Sequence, residues 1–133
     1  LKLAAKRGVD VRIVTPAIPD KKYIYKMTQS NYKELLLAGV RIYQYTPGFI
    51  HSKTLLMDGR LASVGSINLD NRSFYHHFEC GTLLYGCAAI EDVKKDMLAT
   101  FDESEEIDML WCRNNTSKVT LIGPLLRLLS PLL

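Results

Sequence analysis

The sequence lacks the marks of a membrane-spanning, disulfide-bonded or nucleic-acid-binding chain. No run of apolar residues reaches the roughly 18 that a spanning helix requires, and no signal peptide is evident, so we expect these residues to be soluble or peripheral. The three cysteines, Cys80, Cys87 and Cys112, form neither a CxxC pair nor a zinc spacing, so we expect free thiols and no structural metal. The 17 basic and 14 acidic residues are mixed, which leaves a net charge of +3 and no basic stripe for nucleic acid.

The chain also lacks an initiating methionine. It begins inside a predicted helix, Leu1–Arg7, which Gly8 ends, and we therefore expect a piece of a longer protein. A length of 133 residues with 47% hydrophobic content is enough for one core. Residues 1–133 are accordingly predicted to form a single domain, with 121–133 as an apolar C-terminal tail.

Hydrophobic periodicity predicts an α/β fold in which helices flank a mixed β-sheet. Strands are predicted over 9–14, 40–45, 49–57, 61–65 and 78–84, with a hairpin turn at Asp58–Gly59. Helices are predicted over 20–39, with Asp20 as N-cap and Gly39 as the end, and over 90–101. Beyond Ser104 the pattern weakens, and no further element is predicted.

One histidine and one lysine stand two residues apart in the predicted strand 49–57. This spacing directs His51 and Lys53 to the same face, whereas Asp58 falls on the opposite parity at the turn. A neutral imidazole can attack phosphorus, and an adjacent ammonium can neutralise the charge that gathers on the phosphate oxygens. The pair therefore suits phosphodiester chemistry that needs neither a metal nor a cofactor.

The next predicted strands add polar groups to this pair. Ser66 and Asn68 are again two apart and would donate hydrogen bonds to the same phosphate, while Gly65 would allow backbone to approach a ligand closely. Glu79 would accept the N–H of the His51 ring and so fix the tautomer whose other nitrogen attacks. We take His51, Lys53 and Asp58 as catalytic candidates, although Asp58 also suits a turn residue before Gly59.

The complete pattern, HxKxxxxDxxxxxxGSxN from His51 to Asn68, resembles the motif of the phospholipase D superfamily. Flanking sequence is similar to the second half of bacterial cardiolipin synthases. The similar stretches are Gly8–Ile13, Ile18–Lys21, Ala38–Val40, Pro47–Ile50, Asn68–Phe74 and Arg127–Leu133. Two departures stand out, because His77 occupies a position where the family usually has asparagine, and 109–122 lacks the expected basic, tryptophan-containing run.

The resemblance implies one half of a phospholipase D-like α-β-α sandwich and a two-step transfer through a phosphohistidine. In such enzymes two phosphatidylglycerol molecules yield cardiolipin and glycerol, and two motif-bearing halves face each other across one active site. The implied partners are therefore an anionic phospholipid and a second motif-bearing half or an identical copy. The resemblance also places the parent protein at the bacterial cell membrane, on its cytoplasmic side or peripherally, through spanning segments near its N-terminus.

Only one such motif occurs here, since neither His76 nor His77 is followed by a lysine two residues on. We therefore expect little activity from the chain unless a second half or another copy joins it. Two alternatives to lipid transfer stay open: a phosphodiesterase or nuclease of the same superfamily, and a non-catalytic half that binds phospholipid headgroups. Arg72 fits either a lipid phosphate or a loop contact with Asp70.

Overall fold

The computed structural model describes residues 1–115. The helices are α1 Lys2–Lys6, α2 Lys22–Ser30, α3 Tyr32–Leu37, α4 Asn71–Tyr75, α5 Ala89–Asp102 and α6 Met109–Asn115. The strands are β1 Arg12–Pro16, β2 Arg41–Tyr45, β3 Lys53–Met57, β4 Leu61–Gly65, β5 Gly81–Tyr85 and β6 Ser104–Ile107. These elements divide into two compact units, one formed by Leu1–Ile50 together with the described residues from Glu103 onward, the other by His51–Asp102.

The first unit is built on a mixed three-stranded sheet with the order β1-β2-β6. β1 and β2 run parallel, with Arg12 opposite Arg41, because α2 and α3 together form the crossover between them. β6 pairs antiparallel with β2 and brings Ile107 opposite Ile42. The buried core of this unit consists of Tyr32, Val40, Ile42, Ile107 and Cys112.

Polar groups inside this core are connected to one another. The hydroxyls of Thr15 and Tyr32 lie 2.6 Å apart, and Thr15 donates to the Tyr43 carbonyl at 3.2 Å. Gln44 Nε2 donates to the hydroxyls of Tyr32 at 3.2 Å and Tyr25 at 3.1 Å. Burial raises the pKa of the Tyr32 hydroxyl, since a phenolate would be poorly solvated there. The network therefore joins α2 and α3 to the sheet through neutral groups.

The second unit is built on an antiparallel sheet with the order β3-β4-β5. β3 and β4 form a hairpin whose turn residues Asp58 and Gly59 both have positive φ, 52° and 62°, as a tight turn of this hand requires. α5 contacts β4 and β5, and Ala62 and Ile90 are buried in this unit. A small helix-covered sheet of this kind exposes its strand ends, which is where the motif residues lie.

The predicted fold class is confirmed, as helices flank β-sheets, one of them mixed, and the strands form two sheets of three strands. The predicted hairpin, strand β2 and helix α5 are also confirmed, within about one residue at most boundaries. The prediction that 1–133 form a single domain stays a prediction. The predicted tail 121–133 and the similar stretch Arg127–Leu133 lie outside the described residues.

Several predicted boundaries are wrong. The first strand is Arg12–Pro16 instead of 9–14, the strand predicted over 49–57 begins only at Lys53, and the strand predicted over 78–84 is Gly81–Tyr85. The N-cap of α2 is Lys21 rather than Asp20. Three elements, α4, β6 and α6, had no counterpart in the sequence prediction.

The helix predicted over 20–39 is divided into α2 and α3 at Asn31. Ser30 Oγ and Asn31 Nδ2 both donate to the Met27 carbonyl, at 2.7 and 3.1 Å. These side-chain bonds offer the backbone an alternative to the helical ladder and end α2. Gly39, with a φ of 91°, follows the end of α3 as predicted.

Candidate active site

Strand pairing brings the motif segments to one end of the β3-β4-β5 sheet, where β3 begins, β4 ends and β5 begins. Lys53 at the start of β3 pairs with Gly65 at the end of β4, and Gly65 pairs with Gly81 at the start of β5. His51 precedes the first of these positions by two residues, Ser66 follows the second and Glu79 precedes the third. Five of the six predicted site residues therefore lie in the chain segments at this end of the sheet, namely His51, Lys53, Ser66, Asn68 and Glu79.

The lysine of the motif is bonded to the backbone of the histidine. Lys53 Nζ donates to the His51 carbonyl oxygen at 2.6 Å, across the two-residue segment that leads into β3. His51 itself lies outside the strand and is exposed, while Lys53 is half-buried. The contact joins Lys53 to the backbone of His51, and the shared face of the two side chains stays a prediction.

Ser66 connects the end of β4 to the residues before β5. Its hydroxyl donates to Glu79 Oε2 at 2.5 Å and accepts from the Cys80 N–H at 3.0 Å, and its own N–H donates to the Cys80 carbonyl at 2.8 Å. A serine hydroxyl has a single hydrogen. Both acceptors within its reach, Glu79 Oε2 at 2.5 Å and the Cys80 carbonyl at 3.3 Å, belong to the protein, so the hydroxyl must rotate before it donates to a phosphate.

Glu79 is held as a carboxylate by several neighbours. The Ser66 hydrogen bond is the main cause that lowers its pKa, followed by a hydrogen bond from the Ser73 hydroxyl, and the nearby ammonium of Lys53 lowers it further. Desolvation opposes these effects without reversing them. Glu79 is therefore an ionised acceptor at neutral pH.

The reason for glycine at position 65 differs from the one predicted. A Cβ built there would lie 2.3 Å from the Cys80 carbonyl oxygen and 2.5 Å from the Gly81 Cα. Both are backbone atoms of the neighbouring segment, which cannot move aside as a flexible side chain would. Gly65 therefore permits close approach of the chain to itself, whereas the sequence prediction invoked a ligand.

The backbone of Asn68 is positioned by α4, a helix that the sequence prediction missed. Its N–H donates to Ser73 Oγ at 3.1 Å, and the Ser73 N–H in turn donates to the N-cap carboxylate of Asp70 at 2.7 Å. The buried Ser73 hydroxyl thus lies between the Asn68 backbone and Glu79. An aspartate followed three residues later by a serine is the signal in the sequence that indicates this capped turn.

Arg72 is engaged within its own loop. Its Nε donates to His77 Nε2 at 2.9 Å, and its carbonyl accepts from the N–H groups of His76 and His77. This contact differs from the Asp70 contact considered from the sequence. It also means that the ring nitrogen of His77 facing Arg72 acts as an acceptor.

Asp58 lies at the opposite end of β3 from the other motif residues. Five residues at about 3.3 Å each separate it from Lys53 by roughly 16 Å along the strand. It is exposed and adopts a φ of 52° in the hairpin turn. A catalytic role for Asp58 stays a prediction, and the geometry favours the turn.

Within residues 1–115, no helix combines the length and apolar character needed to cross a bilayer.

Known proteins match the chain along its whole length. The sequence model of the family described as "Cardiolipin synthase, PLD-like domain" matches residues 1–102. All 133 residues align at 42% identity with a cardiolipin synthase of Geobacillus thermodenitrificans and at 41% with cardiolipin synthase 2 of Bacillus anthracis, and cover 26% of each. They align at 44% with an uncharacterized protein of Streptococcus mutans and cover 29% of it.

The chain thus spans between a quarter and a third of the length of these relatives. The matched residues 1–102 include the whole motif and Glu79. The resemblance inferred from the motif is therefore confirmed, and the chain belongs to the cardiolipin synthase family of proteins with a phospholipase D-like domain.

Proposed function

We propose that this chain carries one half of the active site of a phosphatidyltransferase, with His51 as the nucleophile. The reaction is the transfer of a phosphatidyl group between two phosphatidylglycerol molecules, which gives cardiolipin and releases glycerol. The single observation that carries the proposal is the strand register of Lys53, Gly65 and Gly81, which brings the chain segments that bear His51, Asn68 and Glu79 to one end of the sheet. Membership of the family supports it further.

The proposed reaction has two displacements at phosphorus. In the first, a ring nitrogen of His51 forms a bond to phosphorus while the bond from phosphorus to the oxygen of the glycerol headgroup breaks. The departing headgroup oxygen takes a proton from a second histidine. In the second, a hydroxyl of the acceptor lipid gives its proton to that second histidine and attacks phosphorus, and the phosphorus–nitrogen bond breaks. Atoms and protons balance over the cycle, with no oxidant or cofactor.

Lys53 can bind phosphate without leaving its present partner. An ammonium has three donors, and one of them is used by the His51 carbonyl. The other two are available for the non-bridging oxygens, where negative charge increases in the transition state. The same lysine therefore positions the nucleophile's backbone and stabilises the charge.

Glu79 has acceptor capacity beyond its serine contacts. A carboxylate offers about four acceptor sites, and the hydroxyls of Ser66 and Ser73 use two. We assign a remaining site to the N–H of the His51 ring, which fixes the tautomer as predicted from the sequence. Asn68, whose backbone is held by Ser73, and a rotated Ser66 donate to the phosphate.

The second histidine must come from outside this motif, because the chain contains a single HxK sequence. We propose that it comes from another motif-bearing half or from a second copy of this chain. The membrane anchorage of the parent protein is assigned to segments outside the chain.

A phosphodiester with an activated leaving group tests the nucleophile separately from the second histidine. A short-chain phosphatidyl ester of p-nitrophenol, labelled at phosphorus, releases its leaving group as an anion and needs no acid. We expect an acid-labile, base-stable label on the protein, present in the His76→Ala control and absent in His51→Ala. A label that survives in His51→Ala, or that never forms on the wild type, contradicts the proposal.

A second measurement addresses the missing half. Phosphatidylglycerol turnover by the monomeric chain should be negligible, and it should appear when the chain is joined by another motif-bearing half. Appreciable turnover by a monomer, confirmed as such by light scattering, is the result that rejects a two-half site. Cleavage of plasmid DNA without lipid transfer would favour the nuclease alternative.

A further inference from the structure

Residues around the start of α2 expose apolar and cationic side chains together. Ile18 is 50% exposed, Tyr23 44% and Ile24 38%. Lys21, Lys22 and Lys26 are exposed between and beside them. We call this set the basic apolar surface; its members are Ile18, Lys21, Lys22, Tyr23, Ile24 and Lys26.

The lysines of the basic apolar surface have no acidic partners within the described part of the chain. None of the ion pairs there involves them. The only carboxylate within 18–26 is Asp20, which leaves this stretch with a net charge of +2. By contrast, Lys94 and Lys95 of α5 lie 3.9 and 3.6 Å from the carboxylates of Glu91 and Asp92.

Helical geometry sets the orientation of this surface. Lys22 and Lys26 are one turn apart, and Tyr23 follows Lys22 by 100° around the axis, so all three lie on one side of α2. Tyr25 lies about 160° around the axis from Tyr23, and its hydroxyl accepts from Gln44 in the buried network. Ile24 lies about 100° beyond Tyr23, so the exposed residues extend around α2 from Lys22 to Ile24. Apolar side chains next to lysines on a solvent-facing helix side match the composition of segments that lie in a bilayer interface.

We propose that the basic apolar surface docks the first unit on the surface of an anionic phospholipid bilayer. This inference rests on the proposed function, because a lipid transferase must reach substrate that is held in a bilayer. Lysines draw the surface to acidic headgroups, and the isoleucines and Tyr23 enter the boundary between headgroups and acyl chains. The anionic bilayer is thus both the docking partner and the source of substrate.

Sedimentation with vesicles tests the docking step alone. The chain is mixed with vesicles of phosphatidylglycerol and phosphatidylcholine at 1:3, or of phosphatidylcholine only. We expect binding to the first, weakened by high salt, and weak or no binding to the second. Replacing Lys21, Lys22 and Lys26 by Gln should lower the partition constant about fivefold per lysine, roughly 100-fold in all.

Matched variants separate this surface from overall charge and hydrophobicity. The triple change of Lys6, Lys94 and Lys95 to Gln removes the same charge elsewhere, and we expect a loss of no more than about threefold. Ile24→Ser with Tyr23→Ser should lower binding, while Leu98→Ser with Leu110→Ser should not. Arginine at positions 21, 22 and 26 keeps the charge and should retain binding, and normal labelling of His51 in the glutamine variant excludes misfolding as the cause of its loss.

Three results overturn the inference: equal losses in the two triple variants, unchanged binding in the lysine variant of the basic apolar surface, or binding of these lysines to duplex DNA with none to vesicles. Labelling of His51 by the soluble activated ester decides the proposed function separately. We expect the Lys21, Lys22 and Lys26 variant to be labelled like the wild type. Normal labelling with unaltered vesicle binding would reject the docking surface and leave the proposed function standing.

Discussion

A methyl group at Gly65 should separate the end of β4 from the residues that lead into β5, whose contact holds the active-site end of the sheet together. The added Cβ would lie 2.5 Å from the Gly81 Cα, where nonbonded carbons prefer about 3.5 Å or more. The chain before β5 must therefore withdraw from β4 by about 1 Å. That movement stretches the 2.8 Å hydrogen bond from the Ser66 N–H to the Cys80 carbonyl and pulls Glu79 away from Ser66.

The magnitude follows from two losses. Overpacking against backbone costs about 1–3 kcal/mol, and weakening one backbone hydrogen bond costs about 1 kcal/mol. We expect Gly65→Ala to lower the free energy of unfolding by about 2–4 kcal/mol. Urea unfolding measures this change. Labelling of His51 in the folded variant should fall sharply because Glu79 is displaced from the active-site end of the sheet.

Gly81 supplies the matched control, because it is the cross-strand partner of Gly65. A Cβ at Gly81 comes no closer than 3.6 Å to any neighbour, which is ordinary contact. Gly81→Ala should be neutral or stabilising by up to about 1 kcal/mol, since alanine restricts the unfolded chain. Equal effects of the two substitutions, or full labelling of Gly65→Ala, would refute the reasoning.

Three other side chains can be tested in the same assays. Tyr32→Phe should cost about 2 kcal/mol in urea unfolding, because buried Thr15 and Gln44 each lose a partner, and more than Tyr25→Phe at the half-buried end of the network. The pKa of Glu79 is lowered by folding, so the carboxylate stabilises the folded state above its ordinary pKa of about 4.3, and this stabilisation is lost as the pH falls through the pKa of the folded state. Urea unfolding midpoints of the wild type and Glu79→Gln should therefore converge on acidification, and a constant difference between them would contradict this. Asp58→Gly should retain stability and labelling, whereas Asp58→Val should cost about 1–2 kcal/mol; lost labelling in Asp58→Gly would assign the carboxylate to the chemistry.

Local patterns predicted the parts of the fold that depend on near neighbours. The Asp58–Gly59 turn and helix α5 follow from residues close in sequence, and both are confirmed. The division at Asn31 was missed because side-chain bonds to the Met27 carbonyl outweigh helical periodicity there. β6 was missed because its strand character depends on pairing with β2, about 60 residues earlier in the chain.

The sequence by itself determined the family to which this chain belongs. A histidine, a lysine and the Gly-Ser-x-Asn segment at fixed spacing identified the family, and that assignment is confirmed by relatives that match the whole chain. Tertiary structure alone decided which atoms each group contacts. Ser66 meets Glu79 across 13 residues, Gly65 meets Cys80, and Lys53 turns back to the His51 carbonyl. The physical reason is that a hydrogen bond or a close contact depends on differences of tenths of an ångström in distance. Strand register and the path of the backbone determine those distances, whereas the spacing of residues in the sequence does not.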